Sequence, residues 1–176
     1  MFLQLRILII MKNKSTLSIK TIKNFLPDQI FKEIQNILFS ESFPYYFVNY
    51  VVNADDRSDY FFTHHLLHEK GSSAYFNKIL APLIGRLTFN RLTRAKINFY
   101  TKKHKFIKTA YHVDSKNPHF VALYSVNTNN GFTQLENGPT LPSIENTMHI
   151  FDGSLKHCSV AQTDTNARIN ININLL

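Results

Sequence analysis

The last strand-like segment of the chain alternates perfectly between aliphatic and polar residues. Isoleucine or leucine occupies positions 169, 171, 173 and 175, whereas Arg168 and asparagines occupy the positions between them. Because side chains alternate across a strand, this pattern predicts one wholly aliphatic face and one polar face. The aliphatic face must be buried, which turns Arg168 toward the opposite side of the sheet.

Period-two alternation also begins after Arg94 and continues in short segments through the C-terminal half. Glycine and proline residues punctuate these segments, which is typical of an all-β region. The predicted strands are 95–100, 111–114, 119–126, 132–135, 148–151, 159–162 and 168–175. The region 94–176 is therefore predicted to be the β core.

The N-terminal half shows helical spacing instead. Apolar residues recur at helical intervals after Pro27, which suits the first turn of a helix. A second stripe from 75 to 87 predicts a helix that Pro82 interrupts. Short strands are predicted at 17–25 and 45–51. Helices followed by short strands indicate an α+β domain, with the helices on one face of a β-sandwich or jelly roll.

Composition indicates one domain, spanning residues 1–176, because 176 residues with 44% hydrophobic content fit one sizeable core. The net charge of +8 is compatible with nucleic acid or an acidic surface but specifies neither. The single cysteine, Cys158, excludes an intramolecular disulfide and suits a reducing compartment, so a cytoplasmic location is expected. We expect Cys158 to be a small core residue.

Residues 1–10 are strongly apolar but too short to span a bilayer, and no small-residue cleavage site follows them. No membrane association is therefore expected. Two interpretations remain open for this segment. It is either an upstream extension before Met11, which we favour, or a first core strand.

His112 and Asp114 form the chemistry-bearing motif of the predicted β region. In an extended segment they point the same way, about 7 Å apart along the chain. His157 offers a third ligand. Two histidines and one carboxylate on one face leave half of an octahedron open, which is the arrangement that non-haem Fe(II) oxygenases use. If the polar face of the last strand lies inside the jelly roll, Arg168 is a buried cation in need of an anion, such as a dicarboxylate cosubstrate.

Other polar clusters favour structural interpretations. The acidic segment 53–59 lacks the ligand spacing and glycine of a calcium loop. His64 and His68 are one helical turn apart and could bind zinc in a hydrolase, but they lack the glutamate that such a site needs. His104 and His119 are expected to be exposed.

Taken together, the segments H112-V-D114, G131-F-T133, N146-T-M-H-I-F-D-G153, His157 and Arg168 resemble the 2-oxoglutarate- and Fe(II)-dependent dioxygenases. The resemblance is strongest to the prolyl-4-hydroxylase-like group, which includes small phage and bacterial members. It covers about residues 94–176, with a looser likeness before them.

The resemblance implies a double-stranded β-helix in which His112, Asp114 and His157 bind Fe(II). It implies that 2-oxoglutarate chelates the metal and that Arg168 pairs with its distal carboxylate, since a guanidinium fork matches a carboxylate. A tyrosine often reaches the cosubstrate in this family, and both Tyr100 and Tyr124 are candidates.

The implied reaction consumes O2, converts 2-oxoglutarate to succinate and CO2, and hydroxylates a substrate, with ascorbate as a candidate addition. The expected substrate is peptidyl or a small molecule, whereas nucleic acid is weakly supported. The alternative is a catalytically silent jelly-roll binding module.

Overall fold

The computed structural model describes residues 7–8, 19–52 and 59–176, and it consists mostly of antiparallel strands. The strands are β1 (Ile7–Leu8), β2 (Lys20–Ile22), β3 (Tyr46–Val48), β4 (Phe61–His68), β5 (Gly71–Ser72), β6 (Leu87–Thr88), β7 (Leu92–Thr101), β8 (Phe120–Ser125), β9 (Phe132–Leu135), β10 (Thr140–Pro142), β11 (Thr147–Asp152), β12 (His157–Val160) and β13 (Ala167–Leu175). The helices are α1 (Asp28–Leu38) and α2 (Ala81–Ile84), and a π-helical turn, Phe76–Leu80, directly precedes α2.

Two sheets face each other as the layers of a jelly roll. The larger sheet has eight strands in the order β2-β11-β8-β13-β7-β4-β3, with β5 paired to β4, and the smaller has the order β10-β9-β12. Arg168 on β13 of the large sheet donates hydrogen bonds to Thr133 and Ser159 on the small sheet, so the polar faces meet in the interior. The predicted jelly roll is confirmed.

Strand β13 lies near the middle of the large sheet, and its two faces pack against different parts of the protein. All nine of its residues are buried. Its isoleucines and Leu175 join the main hydrophobic core, which also contains Phe31, Ile34 and Leu38 of α1 and Ile79, Leu80 and Leu83 from the second helical segment. The helices thus cover the aliphatic face, as the alternation predicted, and the opposite face is free to build a polar interior.

The first helix is present as predicted but begins at Asp28, one residue after the predicted start at Pro27. Pro27 takes the N-cap position with φ −53° and ψ 142°, and Asp28 lies in the first turn. A carboxylate there stabilises the positive end of the helix. The buried residues of α1 recur at helical spacing, which seats the helix on the sheet.

The second predicted helix is shorter than the stripe suggested. The π-helical turn changes to α2 at Ala81, with Pro82 in the first turn, and the chain leaves the helix at Gly85. Pro82 has no N–H to donate to the preceding turn, which accounts for the irregularity at this point. Leu87 is still buried, but in β6, where it pairs with Ile7 of β1.

Several predicted segments lie wholly or partly outside the described residues. Of the predicted strand 17–25, Lys20–Ile22 forms β2 and pairs with β11. Of residues 1–10 only β1 is described, and of the acidic segment 53–59 only Asp59 is described. Across the described parts of the chain, no helix has the length and apolar character needed to cross a membrane.

Candidate metal centre

Three side chains that could bind a metal converge between the two sheets. The ligand atoms of His112, Asp114 and His157 all lie within 4.8 Å of one another. His112 and His157 exchange both backbone hydrogen bonds, at 3.0 and 2.9 Å, although the segment around His112 is otherwise irregular and not the predicted strand. This isolated bridge places the two imidazole rings 4.7 Å apart between centroids.

Both histidines use the same ring nitrogen, Nδ1, in a contact with a backbone carbonyl. Nδ1 of His112 lies 3.3 Å from the carbonyl oxygen of Ala110, and Nδ1 of His157 lies 3.1 Å from that of Leu155. Because a carbonyl oxygen only accepts, each Nδ1 must carry the proton and donate it. In the neutral form of each ring Nε2 is then the unprotonated nitrogen, which is the atom that can bind a metal.

Asp114 supplies the only carboxylate of the group. Its side chain is 4% exposed. One carboxylate oxygen forms an ion pair with Arg94 at 2.8 Å, and the other accepts a hydrogen bond from the Asn172 amide at 2.9 Å. Burial by itself would raise the pKa of Asp114, but the positive charge of Arg94 and further favourable interactions lower it to about 2. Burial and the neighbouring His157 lower the pKa of His112. At neutral pH the aspartate is thus ionised and His112 is neutral, as metal ligands must be.

Two imidazole nitrogens and one carboxylate oxygen on one wall of a cavity match the donor set of a non-haem Fe(II) site. The residues present therefore fit the metal that the sequence implied. Phe151 packs against His157, with ring centroids 5.4 Å apart, and helps to fix that ring.

Arg168 lies deeper in the same interior and is 2% exposed. Its guanidinium donates to three hydroxyl groups, at 2.8 Å to Ser143, 2.6 Å to Ser159 and 3.2 Å to Thr133. All three partners are neutral, and no salt bridge among the described residues includes Arg168. Such a cation is costly to bury without an anion, so the arrangement fits a carboxylate ligand.

Gly131 permits this burial by letting the backbone approach the arginine. A Cβ atom at position 131 would lie 2.9 Å from Cδ of Arg168. The position therefore has no room for a side chain while Arg168 keeps its place.

Tyr100 lines the cavity beside Arg168. It is the cross-strand partner of Arg168 in the β7–β13 pair, and the guanidinium carbon lies 5.4 Å from its ring centroid. Burial raises the pKa of Tyr100. The phenol therefore stays protonated at neutral pH and can donate a hydrogen bond to an anion.

No family model matches the sequence, and neither does any curated protein. Solved structures do match the fold. A prolyl hydroxylase from Trichoplax adhaerens, in complex with a hypoxia inducible factor oxygen degradation domain peptide fragment, has a TM-score of 0.60 and 17% identity, covering 92% of this chain and 84% of its own. A Pseudomonas putida prolyl-4-hydroxylase has a TM-score of 0.60 and 10% identity, covering 91% and 93%. The non-heme α-ketoglutarate dependent epimerase SnoN from nogalamycin biosynthesis has a TM-score of 0.62 and 12% identity, covering 91% and 78%.

The fold is that of the 2-oxoglutarate- and Fe(II)-dependent oxygenases. The fold that the sequence resemblance implied is thereby confirmed. The identities of 10–17% with these structures leave the chemistry of this chain to its own residues.

The oxygenase fold separates the two tyrosine candidates. Tyr124 lies on β8 next to Leu123, and of these two neighbours Leu123 lines the cavity and Tyr124 does not. Tyr124 is fully buried in the main core on the other face, where its hydroxyl donates to Asn146 at 2.9 Å. The Tyr124 alternative is therefore corrected, because the alternation along β8 points its side chain into the main core, away from Arg168 and from the candidate metal ligands.

The histidines of β4 do not form a second metal centre. His64 and His68 lie on a strand rather than a helix, so the interpretation based on a helical turn was wrong. Both nitrogens of His64 are already engaged, with Pro44 and Ser73, at 2.8 and 2.7 Å. Within the described ranges, His112, Asp114 and His157 are the only group of three or more such residues that could hold a metal.

Two further expectations concern single residues. Cys158 is free and fully buried, as predicted. His119, predicted to be exposed, is buried at 5% exposure. Its ring packs directly over Gly153, where a Cβ atom would collide with it, and its Nδ1 lies 2.8 Å from the carbonyl oxygen of Asn117.

Sequence reasoning missed the residues that surround the ligands in this oxygenase fold. Arg94 and Asn172 hold Asp114, and Ser143 and Ser159 hold Arg168. A signal for the first pair was present, because both lie on the polar faces of the two alternating strands. The serines carry no comparable pattern.

Burial gives the metal-free protein a stability that depends on pH. Burial, with further contributions, lowers the pKa of His65 to about 4, and burial lowers that of His149 from its ordinary value of 6.5. Between these pH values the unfolded chain binds more protons than the folded one, so the free energy of unfolding should fall as the pH drops from 6.5 toward 4. Urea unfolding with EDTA present, at several pH values, measures this. His149→Gln should flatten the dependence and the exposed His104→Gln should not; equal slopes for all three proteins would contradict the assignment.

Proposed function

We propose that the protein is an Fe(II)- and 2-oxoglutarate-dependent dioxygenase that hydroxylates a peptidyl or small-molecule substrate. The observation that carries this proposal is a cavity with the His–Asp–His group on its wall. Behind the Thr133 and Ser159 side chains that line the same cavity lies the buried Arg168, which has no anionic partner among the described residues. A metal would complete the His–Asp–His group, and a dicarboxylate bound to that metal would supply the anion that Arg168 lacks. The proposed reaction requires neither an acid–base dyad nor a nucleophilic side chain.

Each residue has a role that follows from its contacts. His112, Asp114 and His157 would hold Fe(II) through two Nε2 atoms and a carboxylate. The fork of Arg168, aimed by its three hydroxyl partners, would bind the distal carboxylate of 2-oxoglutarate, and Tyr100 would donate to the same group. When bound, the metal and the cosubstrate supply O2-dependent oxidation of a C–H bond, coupled to conversion of 2-oxoglutarate to succinate and CO2.

The protein's own contribution is positioning and exclusion of water. Asn172 and Arg94 fix both oxygens of Asp114, and the backbone bridge fixes the two histidines relative to each other. Both sheets enclose the cavity, and apolar side chains such as Val121, Leu123 and Phe151 line part of it. This environment keeps bulk water away from a reactive oxidant.

The neighbours support both substrate classes. The Trichoplax enzyme was solved with a peptide, whereas SnoN belongs to nogalamycin biosynthesis. The fold thus accommodates peptides and small molecules, and the choice for this chain depends on its own cavity residues.

The test is formation of succinate by the purified protein with Fe(II), 2-oxoglutarate, O2 and ascorbate. Omission of Fe(II) is the control, and we expect succinate only in the complete mixture. Binding of 2-oxoglutarate is measured separately by calorimetry on the Mn(II)-loaded protein without O2. Absence of both binding and turnover would favour the silent binding module instead.

A further inference from the structure

A second positive charge faces the cavity at the level of the metal ligands. Lys96 lies on β7, and alternation places it on the same face as Arg94, Asn98 and Tyr100. It lines the cavity together with His112 and Asp114. Its Nζ lies 5.5 Å from the centroid of the Phe61 ring, and none of the salt bridges between described residues includes it.

Lys96 is separated from Arg168 along the strands. In the β7–β13 pair Tyr100 faces Arg168 and Lys96 faces Asn172, the residue that holds Asp114. Four residues of strand correspond to about 13 Å. Arg168 therefore lies at the Tyr100 end of the cavity, behind its lining, whereas Lys96 lies at the Asn172 end, close to Asp114.

If the site is loaded as proposed, the charges of its described residues would not balance without a further anion. The dication and the ionised Asp114 give a net single positive charge, and Arg168 adds a second, which the dianion 2-oxoglutarate neutralises. Lys96 and Arg94 are left as a surplus of two positive charges. Arg94 is already in contact with Asp114, whereas the ammonium of Lys96 has no carboxylate partner among the described residues. A half-buried cation in a cavity attracts anions and orients them.

We infer that Lys96 binds an oxyanion of the primary substrate, with Arg94 adding to the field, so that the protein acts on an acidic substrate. The group recognised is a carboxylate or a phosphate. A lysine ammonium is a point charge with three donors, and it does not require the planar, bidentate geometry that an arginine fork does. Lys96 would thus be a specificity-determining residue beside the reacting centre. This inference rests on the proposed function.

The test uses inorganic phosphate and acetate as probes of the two oxyanion types. Each is titrated by calorimetry into the protein loaded with Mn(II) and saturating 2-oxoglutarate, without O2. We expect the wild type to bind at least one probe, and the better probe indicates which oxyanion the substrate carries. Lys96→Met, which keeps the length of the side chain, should weaken that binding about tenfold or more, and Lys96→Arg should restore most of it.

The matched control is Lys32→Met, which removes the same charge from the exposed face of α1 and should leave probe binding unchanged. All variants should keep the wild-type affinity for 2-oxoglutarate, which also shows that they are folded. Probe binding that is absent in the wild type, or equal in Lys96→Met, would overturn the inference. So would a loss of 2-oxoglutarate affinity in Lys96→Met, because Lys96 would then serve the cosubstrate. Failure of the wild type to bind 2-oxoglutarate contradicts the proposed function itself, and is thereby distinguished from these outcomes.

Discussion

Asp114→Asn is expected to reduce metal affinity and succinate formation by about a hundredfold or more, since loss of even an outer partner of a metal ligand typically costs about 10–100-fold. The substitution keeps the shape of the side chain but removes the only carboxylate of the ligand group. It also leaves Arg94 without the anion that it now contacts at 2.8 Å. An uncompensated guanidinium beside the centre would repel a divalent cation in addition to the lost ligand. Calorimetric titration with Mn(II) measures the first effect, and a succinate assay measures the second.

The control for Asp114→Asn is Asp152→Asn. Asp152 is exposed at the end of β11, and it accepts one backbone hydrogen bond from Ser154 at 2.8 Å. An asparagine oxygen can accept the same bond, so metal binding and turnover should stay at the wild-type level. If Asp114→Asn binds metal and forms succinate as well as this control, the metal site lies elsewhere and the assignment of His112, Asp114 and His157 is wrong.

The alternation in β13 let the sequence predict the parts of the fold that depend on one strand alone. Ile171 and its aliphatic neighbours could be buried only against another apolar layer, and the stripe of α1 was the available partner. The same parity argument placed Arg168 in the polar interior. Prediction succeeded here because the residue types on a strand face, and their two-residue alternation along the sequence, determine whether that face is buried.

Prediction was weaker where a residue's position depends on pairing between distant segments. The residues around His112 do not form a regular strand, and a single backbone bridge to His157 brings the two rings together. The ion pair between Arg94 and Asp114 likewise depends on how the irregular segment after His112 passes the start of β7. Neither the pairing register nor the crossing can be read from period or composition.

The tyrosine question shows the same limit in one residue. Tyr100 and Tyr124 both lie on strands with good alternation, and the sequence offered no reference for which face of β8 would be internal. The register between β8 and β13 settles the geometry, because Tyr124 is opposite Ile171 and therefore belongs to the aliphatic layer. A tyrosine on that layer needs a polar partner for its hydroxyl, which Asn146 provides.

Arg168→Met is expected to weaken 2-oxoglutarate binding by about a hundredfold or more, because two charge-assisted hydrogen bonds of about 1.5–3 kcal/mol each would be lost. Calorimetry on the Mn(II)-loaded protein measures this loss. Metal affinity without 2-oxoglutarate should stay near the wild-type value, since Arg168 contacts Ser143, Ser159 and Thr133 rather than a ligand.

The free energy of unfolding of the Arg168→Met protein provides a second test, because we expect it to stay the same or rise while the affinity for 2-oxoglutarate falls. Replacing a buried cation that lacks an anion with an apolar side chain of similar length is often neutral or stabilising. The free energy of unfolding without 2-oxoglutarate should therefore be unchanged or higher, whereas the stabilisation that saturating 2-oxoglutarate gives the wild type should disappear. Arg168→Lys keeps the charge but loses the fork, so its affinity should lie between the two. If Arg168→Met instead unfolds more easily and still binds 2-oxoglutarate normally, the arginine is a structural link between the two sheets and the cosubstrate carboxylate binds elsewhere.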